Sequence, residues 1–293
     1  VYVEVWTRQV VEHYTHALEG TFLEGVPDFS QYAENDVVHL SDVSGDPTVL
    51  VDNTTYPLEI EELEDGDVSI KLSKFETKPT QVTDDELYAL AYDKMGLVKT
   101  RHGNRLSETM LDKAIHAFAP TEDTAETPVL LTTGTMDEDG RKKLTRLDVI
   151  ALRRKLDKLK VPKKGRRLVL CSDHVADLLE IDQKFQNQYH DYSTGVIMKM
   201  YGFEIYEAVN CPLFDCTTKK KKSFGSVATV NDFEGSVFFY VPRMFKCKGG
   251  TKMYYSKAEN DPVNKRNLVS FTTRFVALPQ KKEGAVGAIV SGK

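Results

Sequence analysis

Residues 83–120 read TDDELYALAYDKMGLVKTRHGNRLSETMLDKAIHAFAP. Thr83 and Glu86 have the spacing of a capping box: the hydroxyl accepts the Glu86 N–H, and the Glu86 carboxylate reaches back. Asp84 and Asp85 place further negative charge at the positive end of the helix dipole. Leu87, Leu90, Ala91, Met95, Val98, Leu106, Met110, Ala114, Ile115 and Phe118 then trace one apolar stripe, and Pro120 stops it. The pattern predicts a helix over 83–118, weakened at Gly96 and Gly103 by roughly 1 kcal/mol each. At 1.5 Å per residue it would be about 50 Å long, against a usual helix of about 11 to 12 residues.

Upstream of this helix the period changes from 3.6 to 2. Residues 5–19 read as a short amphipathic helix, with Trp6, Val10, Tyr14 and Leu18 near helical spacing, broken by Gly20, Gly25 and Pro27. Residues 36–80 read as β. Tyr56, Leu58 and Ile60 alternate with Pro57, Glu59 and Glu61, and Val68, Ile70 and Leu72 alternate with Ser69, Lys71 and Ser73. Asp52-Asn53 and Asp65-Gly66 are read as turns. The expectation is a long, mostly exposed hairpin with one apolar face. An isolated two-stranded hairpin is marginal in water, so something outside it must cover that face.

Downstream, helix and strand alternate. Val129-Leu130-Leu131, Leu168 to Cys171 and Gly202 to Tyr206 read as strands, and Val196-Ile197-Met198 as an apolar lead-in. Asp148 to Leu159 reads as an amphipathic helix ended by Pro162, and a second helix, capped by Ser172 or Asp173, runs through Leu179. The last part is β again: Val237 to Val241, Lys252 to Tyr255 and Leu268 to Ala277, with Gly249-Gly250 read as a hairpin turn between the first two.

Charge is unevenly spread. Between Arg8 and Lys71 there is no lysine or arginine, and residues 9–70 hold 15 acids. The chain of 293 residues is −5, so its remainder is +10, and such asymmetry points to a partner, foreign or another copy. With 41% apolar and 28% charged residues the composition is globular. No apolar run approaches the ~20 residues of a membrane span, and charges interrupt the first residues where a signal peptide would be apolar. Four cysteines make no disulfide framework and point to a reducing compartment. A pI near 5.9 is not that of a dedicated nucleic-acid binder.

Motifs for chemistry are sparse. Glu12-His13-x-x-His16-x-x-Glu19 has a loose metal-site spacing on an arm helix and reads as solvated side chains. Cys211 and Cys216 are too far apart for a metal knuckle. Lys219 to Lys222 could meet phosphate or an acidic surface, or form a solvated loop tip. Asp137-Glu138-Asp139-Gly140 reads as a turn, not a calcium loop, and Asn53-Thr54-Thr55 is a sequon in a hairpin turn. No phosphate loop, nucleophile elbow, zinc-protease motif or dinucleotide fingerprint is present. The weight moves to a structural or binding role.

The order of elements and several stretches resemble a known family. The stretches are QYAENDVVHLSDVSGDPTVLV (31–51), TTYPLEIEELED (54–65), KFETKPTQVTDDELYALAYDKM (74–95), GRRLVLCSDHVADLLEIDQKF (165–185) and YGFEIYEAVN (201–210). Over nearly the whole chain they resemble the major capsid proteins of tailed double-stranded DNA phages, of the Hong Kong 97-type fold, especially those of crAss-like and other Bacteroides phages.

The resemblance implies an α+β fold. It has an N-terminal arm (1–35), an extended loop (42–75) lying across a neighbouring subunit, and a spine helix (83–118). It implies a peripheral domain (36–41, 76–120 and 236–280) and an α/β axial domain (121–235 and 281–293) near five- and six-fold centres. Lys257 to Arg266 would lie near three-fold contacts. The residues expected at subunit interfaces are Trp6, Tyr14, Glu59, Glu61, Glu62, Glu64, Asp65, Asp67, Lys265 and Arg266. The implied role is a shell subunit of pentamers and hexamers in a virion assembled in the bacterial cytoplasm, enclosing double-stranded DNA without sequence-specific binding. Portal and head-decoration proteins are the other implied partners, with no catalytic residue, metal, cofactor or membrane. The alternatives are an encapsulin-like nanocompartment shell, and an α/β enzyme over 121–235 with a dimerisation arm.

Overall fold

The computed structural model describes residues 22–32, 37–44, 64–83, 94–138, 140–181, 199–260 and 263–293, with backbone alone for 39–44, 64–68 and 94. Two sheets share one long helix. The larger is built from β5 (Val129–Leu131), β6 (Arg166–Cys171), β7 (Lys199–Met200), β8 (Phe203–Ala208), β10 (Asp232–Tyr240) and β14 (Val286–Val290). Its order is β5-β14-β10-β6-β8-β7, with β9 (Leu213–Asp215) paired to β10. Pairing is parallel for β14 with β5 and for β6 with β8, and antiparallel where β10 meets β14 and β6.

Both faces of this sheet are covered, and the strand residues divide between them with period 2. Leu168, Leu170 and Phe238 face a core with Val149, Leu152 and Leu156 of α2 (Arg146–Lys158) and Val175 and Leu178 of α3 (Ser172–Ile181). Val169, Val237 and Phe239 face the opposite core with Phe118 and Ala119. The start of α2 carries a capping box that the sequence reading did not name, Thr145 with Asp148.

The long helix, α1 (Lys94–Phe118), runs for 25 described residues, about 37 Å, and ends two residues before Pro120. Met95, Leu106, Met110, Ala114, Ile115 and Phe118 of the predicted stripe are buried. They join Val269, Phe271 and Phe275 of the smaller sheet and Phe239 of the larger in one cluster, so α1 gives the two sheets a common core. The expected Thr83–Glu86 cap falls on residues 84–86, outside the described ones; Thr83 itself ends a strand.

The smaller sheet is centred on β13 (Arg266–Pro279), 14 residues long. On one side lie β11 (Met244–Lys248) and β12 (Lys252–Ser256), and on the other β3 (Ser73–Glu76) and β4 (Thr80–Thr83). Phe275 pairs with both Lys248 and Ser73, and Thr272 with both Lys252 and Glu76, so β11 and β12 share one edge of β13. Gly249-Gly250 is therefore not a hairpin turn. It is a bulge within one interrupted strand, across which the register moves by one residue. The Gly249 N–H still reaches the Arg274 carbonyl at 2.8 Å, and a Cβ there would stand 3.1 Å from the Arg274 Cβ.

Two further expectations change. Asp65-Gly66 lies inside β2 (Glu64–Lys71), paired with Val43 and Asp42 of β1 (Val37–Ser44), because the partner strand extends that far and leaves no turn there. Val237 to Val241 is expected in the closing β region, yet β10, which carries Val237 to Tyr240, is a central strand of the larger sheet. Gly235 to Phe239 are all buried, as expected of a strand covered on both faces. The chain passes to the smaller sheet at Val241-Pro242-Arg243.

Candidate assembly interface

β1 and β2 form the described part of the hairpin, from Val37 opposite Lys71 to Ser44 opposite Glu64. Leu72 alone separates β2 from β3, so the hairpin runs directly into the smaller sheet. At that junction Val38 and Leu72 are buried against Phe245, Cys247 and Val276, with Phe29, Ile70 and Leu278 beside them. Glu64, Asp65 and Asp67 sit at the other end of β2, and Glu64 is nine residues from Ser73, about 30 Å of extended chain. Trp6, Tyr14, Glu59, Glu61 and Glu62 lie outside the described residues, as do the Glu12–Glu19 pattern, the Asn53 sequon and Asp139 of the acidic turn.

Where the arm meets the body, residues 22–32 are fastened to both sheets. Phe22, Leu23 and Val26 are buried in the shared core. Arg167 of β6 donates to the Phe22 carbonyl at 2.9 Å and to the Glu24 carbonyl, lies over the Tyr206 ring, and donates to Glu204 at 3.1 Å. On the smaller sheet, Lys246 Nζ donates to the Leu23 carbonyl at 3.3 Å. Phe29 N–H donates to the Lys246 carbonyl and the Lys246 N–H to the Pro27 carbonyl, both at 2.9 Å, while Phe29 stacks on Phe245.

Between α1 and the chain from Phe75 to Thr80 lies a cleft of about 560 Å³. Phe75 and Leu106 give it an apolar lining, and Lys78, Arg101 and Arg105 give it positive charge. Lys113, further along α1, lies over the Phe75 ring. Arg105 pairs with Glu108 at 3.2 Å with both side chains exposed, a contact worth little in water. Lys78 and Arg101 are exposed and have no partner among the described residues. His102 is half-buried, 2.8 Å from Thr80 Oγ1, and burial lowers its pKa, which favours the neutral ring.

The lysine run is not a loose tip: each lysine has a partner within the chain, although Lys220 stays exposed. Lys219 pairs with Asp123 at 2.8 Å, Lys220 with Glu122 at 3.4 Å and Lys222 with Asp232 at 3.2 Å. Lys221 Nζ donates to the carbonyls of His116 and Ala119 at 2.7 and 2.9 Å, closing the C-terminal end of α1. Burial pushes its pKa down to about 8.

Lys265 is exposed with φ of 45°, and Arg266 opens β13 opposite Thr83. Arg266 and Val276, beside the hairpin base, are ten residues apart on one strand, about 33 Å. Cys211 and Cys216 are free thiols, and no group of three His, Cys, Asp or Glu among the described residues is placed to hold a metal. Sequence reasoning did not single out Lys78, Arg101, Arg105 or Arg167. The four-residue spacing of Arg101 and Arg105, off the apolar stripe of a predicted helix, is a usable signal for a shared face. Arg167, inside a buried strand run, offers none.

No protein-family model and no curated protein matches the chain. Solved structures do. The capsid of Ralstonia phage GP4 is 10% identical with a TM-score of 0.64, over 92% of this chain and 87% of that one. The capsid of a native GTA particle is 9% identical with a TM-score of 0.64, over 94% and 90%. A virus-like particle from Pyrococcus furiosus is 11% identical with a TM-score of 0.58, over 98% and 99%. The chain has the mixed helix-and-sheet fold of Hong Kong 97-type capsid proteins.

Proposed function

We propose that this chain is a phage major capsid protein, a subunit that self-assembles as pentamers and hexamers into an icosahedral head around double-stranded DNA. The observation that carries the reading is the near end-to-end likeness to chains solved within capsids. The N-terminal arm ahead of Phe22 and the hairpin beyond its base at Ile70 and Leu72 lie on neighbouring copies, bringing Trp6, Tyr14 and the acids Glu59, Glu61, Glu62, Glu64, Asp65 and Asp67 to the interface, while residues 22–32 and 72–76 stay with their own body. The acids of one copy meet another copy's Lys78, Arg101 and Arg105, the basic side chains of the cleft. Exposed ion pairs are worth about 0 to 1 kcal/mol each, so charge sets orientation and register. Burial of the apolar faces supplies the affinity, at roughly 25 cal/mol per Å².

The axial domain over 121–235 and 281–293 surrounds the five- and six-fold centres, and Lys265 and Arg266 lie near three-fold contacts. Portal and decoration proteins complete the head. The five stretches resembling crAss-like and Bacteroides phage proteins support a source in that group. A second reading, a nanocompartment around a cargo enzyme, is favoured by the likeness to a particle from a cellular organism, Pyrococcus furiosus. Electron microscopy of the native particle tests both. An icosahedral shell with nuclease-protected phage DNA is expected; a shell with cargo protein and no DNA moves the reading to the second, and a chain that never assembles removes both.

A further inference from the structure

His174, in the first turn of α3, is fully enclosed. Its Nδ1 lies 2.6 Å from Ser236 Oγ of β10, and its Nε2 lies 3.0 Å from Ser291 Oγ, one residue past β14. Ser236 Oγ also accepts the Cys171 N–H, from the end of β6, at 3.1 Å. Ser291 Oγ accepts from Arg141 Nη1 at 3.3 Å. Arg141 grips Asp177 through two bonds of 2.7 and 2.8 Å and Asp137 through a third of 3.0 Å. Asp177 also accepts the Leu144 N–H at 2.7 Å. One hydrogen-bonded network thus joins four separated segments: the junction of β6 and α3, β10, the C-terminal residues and the loop that carries Asp137, Arg141 and Leu144.

Both ring nitrogens face hydroxyls. In either tautomer one nitrogen accepts a hydroxyl proton, so a second ring proton would turn an acceptor into a donor and place a charge away from water. The charged groups around the ring are Asp177 on α3, Arg141 in the loop and Asp148 on α2. The two carboxylates are committed elsewhere, Asp177 to Arg141 and Leu144, and Asp148 to Thr133 and Thr145. Neither is hydrogen-bonded to the ring.

We propose that this network is an acid-released lock: with His174 neutral it closes the C-terminal segment and the 137–144 loop onto the larger sheet, and uptake of one proton at His174 opens it. Burial, the largest influence, pushes the His174 pKa down to about 4 from 6.5. A depressed pKa means that the open or unfolded chain binds more protons than the closed one between those values. The stabilisation is complete above about pH 6.5 and is lost as pH falls towards 4. The lock does not depend on the shell reading.

The test compares urea unfolding of the full chain and of His174→Gln at pH 7 and pH 4.5. The unfolding constant of the parent chain should rise on the order of fifty-fold more than that of the variant. Equal rises overturn the proposal. Should the variant fail to fold, hydrogen exchange on the parent chain decides. The Cys171, Lys142, Leu144 and Gly292 amides should lose protection together at pH 4.5 while β13 amides keep theirs. Retained protection at those four overturns the proposal.

Discussion

The two sheets differ in how they meet water. The larger is covered on both faces, and buried side chains packed around it find partners within the chain: Arg141 in Asp177 and His174 in two serines. In the smaller, α1 covers one face of β13, while Arg266, Leu268, Ser270, Thr272 and Arg274 alternate onto a face left partly open. The same chain thus contains a self-contained region and one that carries its hairpin and a basic cleft at the surface. Their mutations should therefore fail differently, the first by unfolding and the second by loss of assembly.

The largest effect should come from Asp177→Ala, which strands the buried Arg141 guanidinium and the Leu144 N–H. Urea unfolding should register a loss of about 3 to 5 kcal/mol. Gly235→Ala comes next, since its Cβ would stand 2.8 Å from the Phe214 ring, and about 1 to 3 kcal/mol is expected from the same measurement. Thr145→Ala removes the hydroxyl of the α2 capping box and should cost about 1 kcal/mol. The smallest effect on stability belongs to the other region. Arg101→Glu with Arg105→Glu should leave unfolding within roughly 0.5 kcal/mol of the parent chain while particle yield by electron microscopy collapses. Reversal of Glu59, Glu61, Glu62 and Glu64 to lysine should do the same, and combining the two sets should recover some assembly. Normal shells from either set alone would make the charge split incidental, and the contrast between the regions would fall with it.

Legibility followed the same division. Val129–Leu131, the strand ending at Cys171 and the stop of α1 before Pro120 were readable, because apolar period and helix punctuation are local. Gly249-Gly250 and Asp65-Gly66 were misread because a turn and a strand interior can carry the same dipeptide, and only the partner strand decides. The lysine run was misread because most of its partners, Asp123, Glu122 and the carbonyls of His116 and Ala119, lie about a hundred residues away in sequence.

What the sequence by itself determined was the list of elements and the separation of charge, with 15 acids and no lysine or arginine over residues 9–70. Periodicity and capping act within a few residues, and charge is additive along a chain. The tertiary structure alone decided which sheet β10 enters, that β11 and β12 are one bulged strand, and that Lys78, Arg101 and Arg105 share a cleft. Those outcomes rest on long-range pairing and burial, where the free energy belongs to the contact and neither partner's local sequence specifies the other.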